Sequence, residues 1–250
     1  MSNEFPIKGV NIARLPSDYG STGFKMFKGS ILNNVEIAYE TWGELSVNND
    51  NVILLFTGLS TSSHAASSET NKEDGWWEYM IGPNKPIDTN KYFVICINSL
   101  GSCFGSSSPA SINIETGLVY GLTFPELSIE DIAKAGNSVL QTLGIDHVHT
   151  VIGPSMGGMT ALAYSLLYPD SLSRLIIISA AARALPFTIS IRSLQRELIR
   201  SDPRWNKGIY DKSSAPLNGM KLARKLGLMS YRAADEWRER FNRARSQKSN

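Results

Sequence analysis

With 250 residues, 42% of them hydrophobic and 19% charged, the chain is long enough for one α/β domain with a substantial core and has the composition of a soluble globular protein. Its formal net charge of +2 is too small to argue for a nucleic-acid or membrane-surface partner, and no apolar run approaches the roughly 20 residues of a membrane span. Met1-Ser2-Asn3-Glu4-Phe5 carries neither a basic nor an apolar targeting region, and the two cysteines, Cys96 and Cys103, make no disulfide framework, so a reduced cytoplasm is the default expectation.

Residues 1–23 show no clear period and predict no element. Residues 24–32 and 35–42 read as two short strands, and Asn33-Asn34 between them suits a hairpin turn. Val52-Ile53-Leu54-Leu55-Phe56 is wholly apolar, as expected of a parallel strand covered on both faces. It runs into a loop of small residues, Thr57-Gly58-Leu59-Ser60-Thr61-Ser62-Ser63-His64. Residues 92–98 repeat the pattern and lead into a Gly/Ser-rich stretch at 100–111. Residues 128–143 have helical spacing, with Ser128 as N-cap and Asp131 as its acidic partner three positions on. A further apolar strand is predicted over residues 175–179. Strands alternating with helices predict a doubly wound, mostly parallel sheet over residues 1–183. Residues 184–250 change character. They hold Arg-rich amphipathic segments, with helical spacing over 190–200 and 217–227, and no convincing strand. That pattern predicts the start of a helical lid over the carboxyl ends of the sheet, with a solvated helical appendage as the alternative.

The chemistry centres on Thr150-Val151-Ile152-Gly153-Pro154-Ser155-Met156-Gly157-Gly158-Met159. An apolar run leads into G-x-S-x-G and then into a helix-forming segment, the setting of a nucleophile elbow. Gly153 and Gly157 leave out side chains that would crowd the turn, and Gly158 lets the helix approach the sheet. Ser155 is then held at the tip of a strained turn, above a helix N-terminus that favours developing negative charge.

Further pieces occur in order along the chain: Gly75-Trp76-Trp77-Glu78, Ile81-Gly82-Pro83, Ile87-Asp88-Thr89, Asn98-Ser99-Leu100-Gly101-Ser102-Cys103, Ser201-Asp202-Pro203-Arg204-Trp205 and Gly219-Met220-Lys221-Leu222-Ala223-Arg224. With the elbow, they make the chain resemble the homoserine O-acetyltransferase family of α/β-hydrolase-fold acyltransferases. Thr57-Gly58-Leu59-Ser60, Asn98 to Cys103 and Ser193-Leu194-Gln195-Arg196-Glu197 look most like its serine O-succinyltransferase branch; homoserine-acetylating members usually begin the first of these loops with His-Ala-Leu-Thr-Gly. The resemblance implies that Ser155 attacks the thioester of an acyl-CoA and that the hydroxyl of L-serine, or alternatively L-homoserine, discharges the acyl-enzyme. It implies backbone amides of Leu59 and Met156 as oxyanion donors. It gives Arg224 the carboxylate of the amino-acid substrate. At Arg192, four residues before Arg196, acetylating members usually carry asparagine. An arginine there suits the terminal carboxylate of a succinyl group, with solvent or a CoA phosphate as the alternative. Acyl-CoA enters as a substrate, and neither cofactor nor metal is implied. Acetyl or succinyl, serine or homoserine, and monomer or homodimer stay open in the sequence.

One feature departs from the family. The fold orders its triad Ser, then Asp or Glu, then His. The three histidines, His64, His147 and His149, all precede Ser155, and none reads as its base. The expectation is an N-terminal portion of the enzyme that ends before the last strands, with two further alternatives: a plain serine hydrolase of the same fold, and an inactive truncated product.

Overall fold

The computed structural model describes residues 8–16 and 23–241. In chain order its strands and α-helices are β1 (Asn11–Arg14), β2 (Phe24–Lys25), β3 (Ile31–Leu32), β4 (Glu36–Trp42), β5 (Val52–Phe56), β6 (Ile81–Gly82), β7 (Ile87–Asp88), β8 (Phe93–Ile97), α1 (Ile129–Thr142), β9 (Val148–Pro154), α2 (Met156–Leu167), β10 (Leu172–Ile178), α3 (Pro186–Arg200), α4 (Leu217–Ser230) and α5 (Ala234–Arg240). The chain divides into two compact units, residues 1–182 and 183–250.

In the first unit a six-stranded sheet has the order β1-β4-β8-β5-β9-β10. The β8, β5, β9 and β10 strands run parallel, whereas β1 and β4 add an antiparallel flank. Because β5 lies between β8 and β9, the chain crosses from one side of β5 to the other. Such a switch point opens a crevice at the carboxyl ends of the strands. Alternation along β5 sends Val52, Leu54 and Phe56 to one core and Ile53 and Leu55 to another. The first core is closed by α1 and α2 through Ile132, Val139, Leu140, Ala161 and Tyr164. The second is closed by Ala65, Ala66, Trp76, Trp77, Ile81 and Ile87. Two covered faces explain why every residue of β5 is buried.

The capping box at α1 is present: the Ser128 Oγ accepts from the Asp131 amide at 3.3 Å, while Asp131 Oδ2 accepts from the Ser128 amide at 2.8 Å. By contrast, the predicted pairing of 24–32 with 35–42 is corrected. The first segment folds on itself, β2 against β3, through a turn in which the Met26 amide donates to Ser30 O and Gly29 takes φ 94°. Alternating apolar residues fit either arrangement. Gly29 decides between them, because that φ costs glycine little. Asn34, at φ 50°, then turns the chain into β4, whose partners are β1 and β8. The unassigned N-terminal stretch supplies β1; its residues 1–7 and 17–22 lie outside the described ones.

The second unit is helical among its described residues. The α3 and α4 helices run antiparallel, crossing closely where Gly219 would bring a Cβ to 2.5 Å from Leu198 O and where Gln195 Nε2 donates to Ala223 O at 2.9 Å. Buried Asp202 ties the connection down: its carboxylate accepts from the amides of Arg204 at 3.0 Å and Gly219 at 2.8 Å, and these bonds hold its pKa below the usual carboxylate range. Helix α5 has only seven residues, too few for a clear period in the sequence.

Candidate active site

The elbow sits where β9 hands over to α2. Ser155 has φ 55° and ψ −121°, outside the regions an L-residue prefers, at a cost of about 1–3 kcal/mol. Its side chain is exposed between buried Gly153 and buried Gly157. Three backbone bonds hold it there: the Ser155 amide donates to Ile178 O at 2.9 Å, and Ser155 O accepts from the amides of Gly158 at 3.0 Å and Met159 at 3.3 Å. The glycines are steric requirements. A Cβ on Gly153 would lie 2.0 Å from Gly157 O, and one on Gly157 would lie 2.3 Å from Phe56 O. One on Gly158 would meet Ala180 Cβ at 2.6 Å, so the helix rests against the sheet as its sequence predicted.

Met156 is the first residue of α2, where an amide has no acceptor within its own helix and points toward the nucleophile's end. The loop after β5 reaches the same place. The point where a Cβ on Gly58 would stand is 3.8 Å from Pro154 O and 3.9 Å from Ser155 Cβ. Leu59 follows at the loop's tip, 65% exposed. Ser155, Met156 and the segment carrying Leu59 are therefore brought together at the carboxyl ends of β5 and β9.

Buried polar contacts pin that loop at both ends, and the sequence did not reveal them because the partners are distant in the chain. Thr57 Oγ1 and Ser99 Oγ lie 3.1 Å apart at its start. At its end Ser63 Oγ donates to Glu40 Oε1 at 3.1 Å, and the Trp76 indole donates to Ser62 O at 2.9 Å. His64 Nδ1 meets Glu40 Oε2 at 2.9 Å and its Nε2 donates to Glu73 O at 2.8 Å. Burial alone would depress the His64 pKa, but two acceptors facing its two nitrogens raise it. Both ring nitrogens of His64 are thus taken up within the loop's anchor.

The other histidines lie at the amino end of β9. His147 contacts Asp170 O at 3.1 Å and Ser173 Oγ at 2.8 Å; His149 contacts Thr150 Oγ1 at 2.8 Å and Arg174 Nη1 at 2.7 Å. Burial and the Arg174 charge keep the His149 pKa low. Seven residues of strand, about 20 Å, separate that end from the elbow. All three imidazoles are engaged elsewhere, and none bonds Ser155.

In the helical unit Arg224 is exposed on α4. The Arg192 guanidinium donates to Gln195 Oε1 at 2.8 Å and lies 5.8 Å from the Tyr231 ring centroid. Arg196, one turn on, is exposed and lines a shallow groove with Ser193, Glu197, Arg200 and Ser201. Cys96 is buried, which pushes its thiol pKa far up, and Cys103 is exposed; both are free. Among the described residues no group of three His, Cys, Asp or Glu could hold a metal ion, and no helix is long and apolar enough to cross a membrane.

A strained serine between a buried parallel strand and a helix, beside the loop of the neighbouring strand, is the arrangement of an α/β hydrolase. The chain belongs to the alpha/beta hydrolase fold family, whose pattern matches residues 51–250. Within that fold it is similar to the serine O-succinyltransferase of Litchfieldella anticariensis, at 59% identity over 88% of this chain and 60% of that relative. It is also similar to the serine O-succinyltransferase of Xanthomonas oryzae pv. oryzae, at 55% identity over 97% of this chain and 59% of the relative. The chain therefore spans about 60% of the length of these curated relatives. A solved homoserine O-acetyltransferase from Bacillus anthracis superposes with a TM-score of 0.83 at 31% identity, covering 96% of this chain and 64% of that one. The solved esterase E22 does so with the same TM-score and identity, covering 96% and 67%.

Proposed function

We propose that this chain carries the nucleophile and oxyanion donors of an O-acyltransferase that moves a succinyl group from succinyl-CoA to the hydroxyl of L-serine. The observation that supports it is the exposed, strained Ser155 set against Gly58 at the head of α2. Ser155 Oγ attacks the thioester carbonyl, and the amides of Met156 and Leu59 stabilise the resulting oxyanion. The carbon–sulfur bond breaks, and the thiol leaves with a proton. The serine substrate's hydroxyl then attacks the acyl-enzyme, giving the O-acyl product and returning a proton to Ser155 Oγ. Both proton transfers need a base that none of the three histidines supplies, so these 250 residues alone turn over negligibly. Arg224 pairs with the substrate's carboxylate. Arg192 pairs with the succinyl carboxylate, leaving Gln195, and a charge-assisted pair of that kind contributes about 1.5–3 kcal/mol.

The test joins the chain to the C-terminal remainder of the Litchfieldella relative. Succinyl transfer to L-serine should rise by several orders of magnitude over the 250-residue chain and vanish in Ser155→Ala. Steady turnover by the 250 residues alone, abolished by Ser155→Ala, would overturn the missing-base argument. In the joined enzyme Arg192→Asn should reduce succinyl-CoA use at least about tenfold more than acetyl-CoA use. Equal losses would sink the succinyl assignment and favour acetyl transfer. The likeness to esterase E22 supports a second reading, in which water discharges the acyl-enzyme. Free succinate formed at the same rate with and without L-serine would favour it.

A further inference from the structure

Strand β4 sets a carboxylate where its pattern calls for an apolar side chain. Glu40 is 2% exposed and shares a strand face with Trp42, which belongs to the second core. Burying a carboxylate there costs stability, and burial raises its pKa by more than its partners lower it. An apolar residue of similar volume would fill the position without that cost. What sets Glu40 apart is what it bonds.

Both of its oxygens serve one short stretch of chain. Oε1 accepts from Ser63 Oγ at 3.1 Å, and Oε2 meets His64 Nδ1 at 2.9 Å. The imidazole is held on its other side by Glu73 O, 2.8 Å from Nε2, and Asn71 Nδ2 stands 3.3 Å from Nδ1. Ser63 and His64 end the loop that follows β5. Its beginning is fixed against the elbow: Thr57 Oγ1 lies 3.1 Å from Ser99 Oγ, and Gly157 packs directly on the carbonyls of Phe56 and Thr57. Between the two ends Leu59 and Ser60 are exposed. No packing around the tip holds it in place, so its geometry follows from where the ends are held.

We propose that Glu40 is a positioning residue for acyl transfer: by holding Ser63 and His64 it fixes the end of the 57–64 loop and, through it, the direction of the Leu59 amide. The proposal rests on the reading of Ser155 as the nucleophile and Leu59 as an oxyanion donor. Glu40 takes no part in bond making; its effect passes along the backbone from residue 63 to residue 59. A misdirected donor fails the charge that develops in the transition state more than it fails the bound substrate, so the loss falls on kcat.

The test uses the joined enzyme for kinetics and the 250-residue chain for spectroscopy. Rates are taken per folded enzyme, well below each variant's melting temperature. Glu40→Leu should lower kcat about tenfold to a hundredfold, with KM for both substrates within about twofold of wild type. Glu40→Gln should restore kcat to within about threefold, because an amide can accept from Ser63 and donate to Nδ1 of a neutral imidazole. Ser63→Ala, which removes one of the two bonds, should lower kcat about threefold to tenfold. In the 250-residue chain the Leu59 amide resonance should move in Glu40→Leu and return in Glu40→Gln. Wild-type kcat in a folded Glu40→Leu, a loss confined to KM, or an unmoved Leu59 resonance would each overturn the role of Glu40 and leave the nucleophile in place. If Glu40→Leu does not fold, wild-type kcat in Ser63→Ala overturns it instead. Turnover that survives Ser155→Ala would overturn the nucleophile reading and this proposal with it.

Discussion

The two compact units obey different physics. Residues 1–182 carry 9 Lys and Arg against 17 Asp and Glu, a net of −8, whereas residues 183–250 carry 16 against 6, a net of +10. The sheet unit is specified by what it buries: β5 is wholly enclosed, and Gly153 and Gly157 of the elbow sit where backbone touches backbone. The helical unit buries little. No residue of α3 is buried, and only Gly219, Ala223 and Gly227 of α4 are. An overall charge of +2 is the cancellation of two opposed halves, and the chain's average says nothing about either. The lesson is that shape should tolerate substitution poorly in the first unit and well in the second, while surface charge should matter most in the second.

The sharpest way to break that contrast is Gly157→Ala. A Cβ there meets Phe56 O at 2.3 Å and Thr57 O at 2.8 Å, and neither backbone group can yield. A loss exceeding about 4 kcal/mol is expected in denaturant melts, enough to unfold the unit. A smaller loss would mean that the elbow is looser than its contacts indicate.

Glu78 gives an intermediate effect and a pH signature. Burial pushes its pKa up, but amides of Ser67 and Gly75, with Lys85, outweigh that and hold it at about 2, against an ordinary 4.5. A folded-state pKa below the unfolded one means that the contribution is present above about 4.5 and is lost as pH falls toward about 2. Partial exposure tempers it to about 1–2 kcal/mol. Glu78→Gln should flatten the acid limb of the stability curve over that window. An unchanged acid limb would assign the acid sensitivity to other carboxylates.

The smallest effect is expected for Gly227→Ala in the helical unit. Its Cβ would meet the Tyr231 side chain at an ordinary 3.8 Å and would crowd the Gln195 amide nitrogen, at 2.8 Å, the end of a flexible side chain. Displacing it loses one hydrogen bond, to Ala223 O, while a helix-interior alanine regains about 0.8–1 kcal/mol over glycine. A net change within about 0.5 kcal/mol follows. A loss comparable to that of Gly157→Ala would erase the distinction between the units.

Much of the sheet unit was legible because its signals are local. The apolar run of β5, the Ser128–Asp131 box and G-x-S-x-G each lie within a few consecutive residues and have steric or hydrogen-bonding causes that sequence displays. What escaped depends on partners far apart. The choice between β2–β3 and β3–β4 pairing turned on one glycine, Gly29. The anchoring of His64 needs Glu40, 24 residues away. A seven-residue helix such as α5 offers less than two full turns of pattern.

Ser155 belongs to the surface by its side chain and to the sheet by its backbone, since its amide continues the β9–β10 ladder by donating to Ile178 O. Its exposure to reagents and its exposure to amide exchange are therefore separate quantities. The hydroxyl meets solvent continually, while the amide can trade its hydrogen only when strands part, an opening that draws on the stability of the sheet and not on the mobility of a loop. A residue so placed does not need to be found again by each incoming reactant. The fluctuation that would misdirect it is as rare as the breathing of the two strands that hold it.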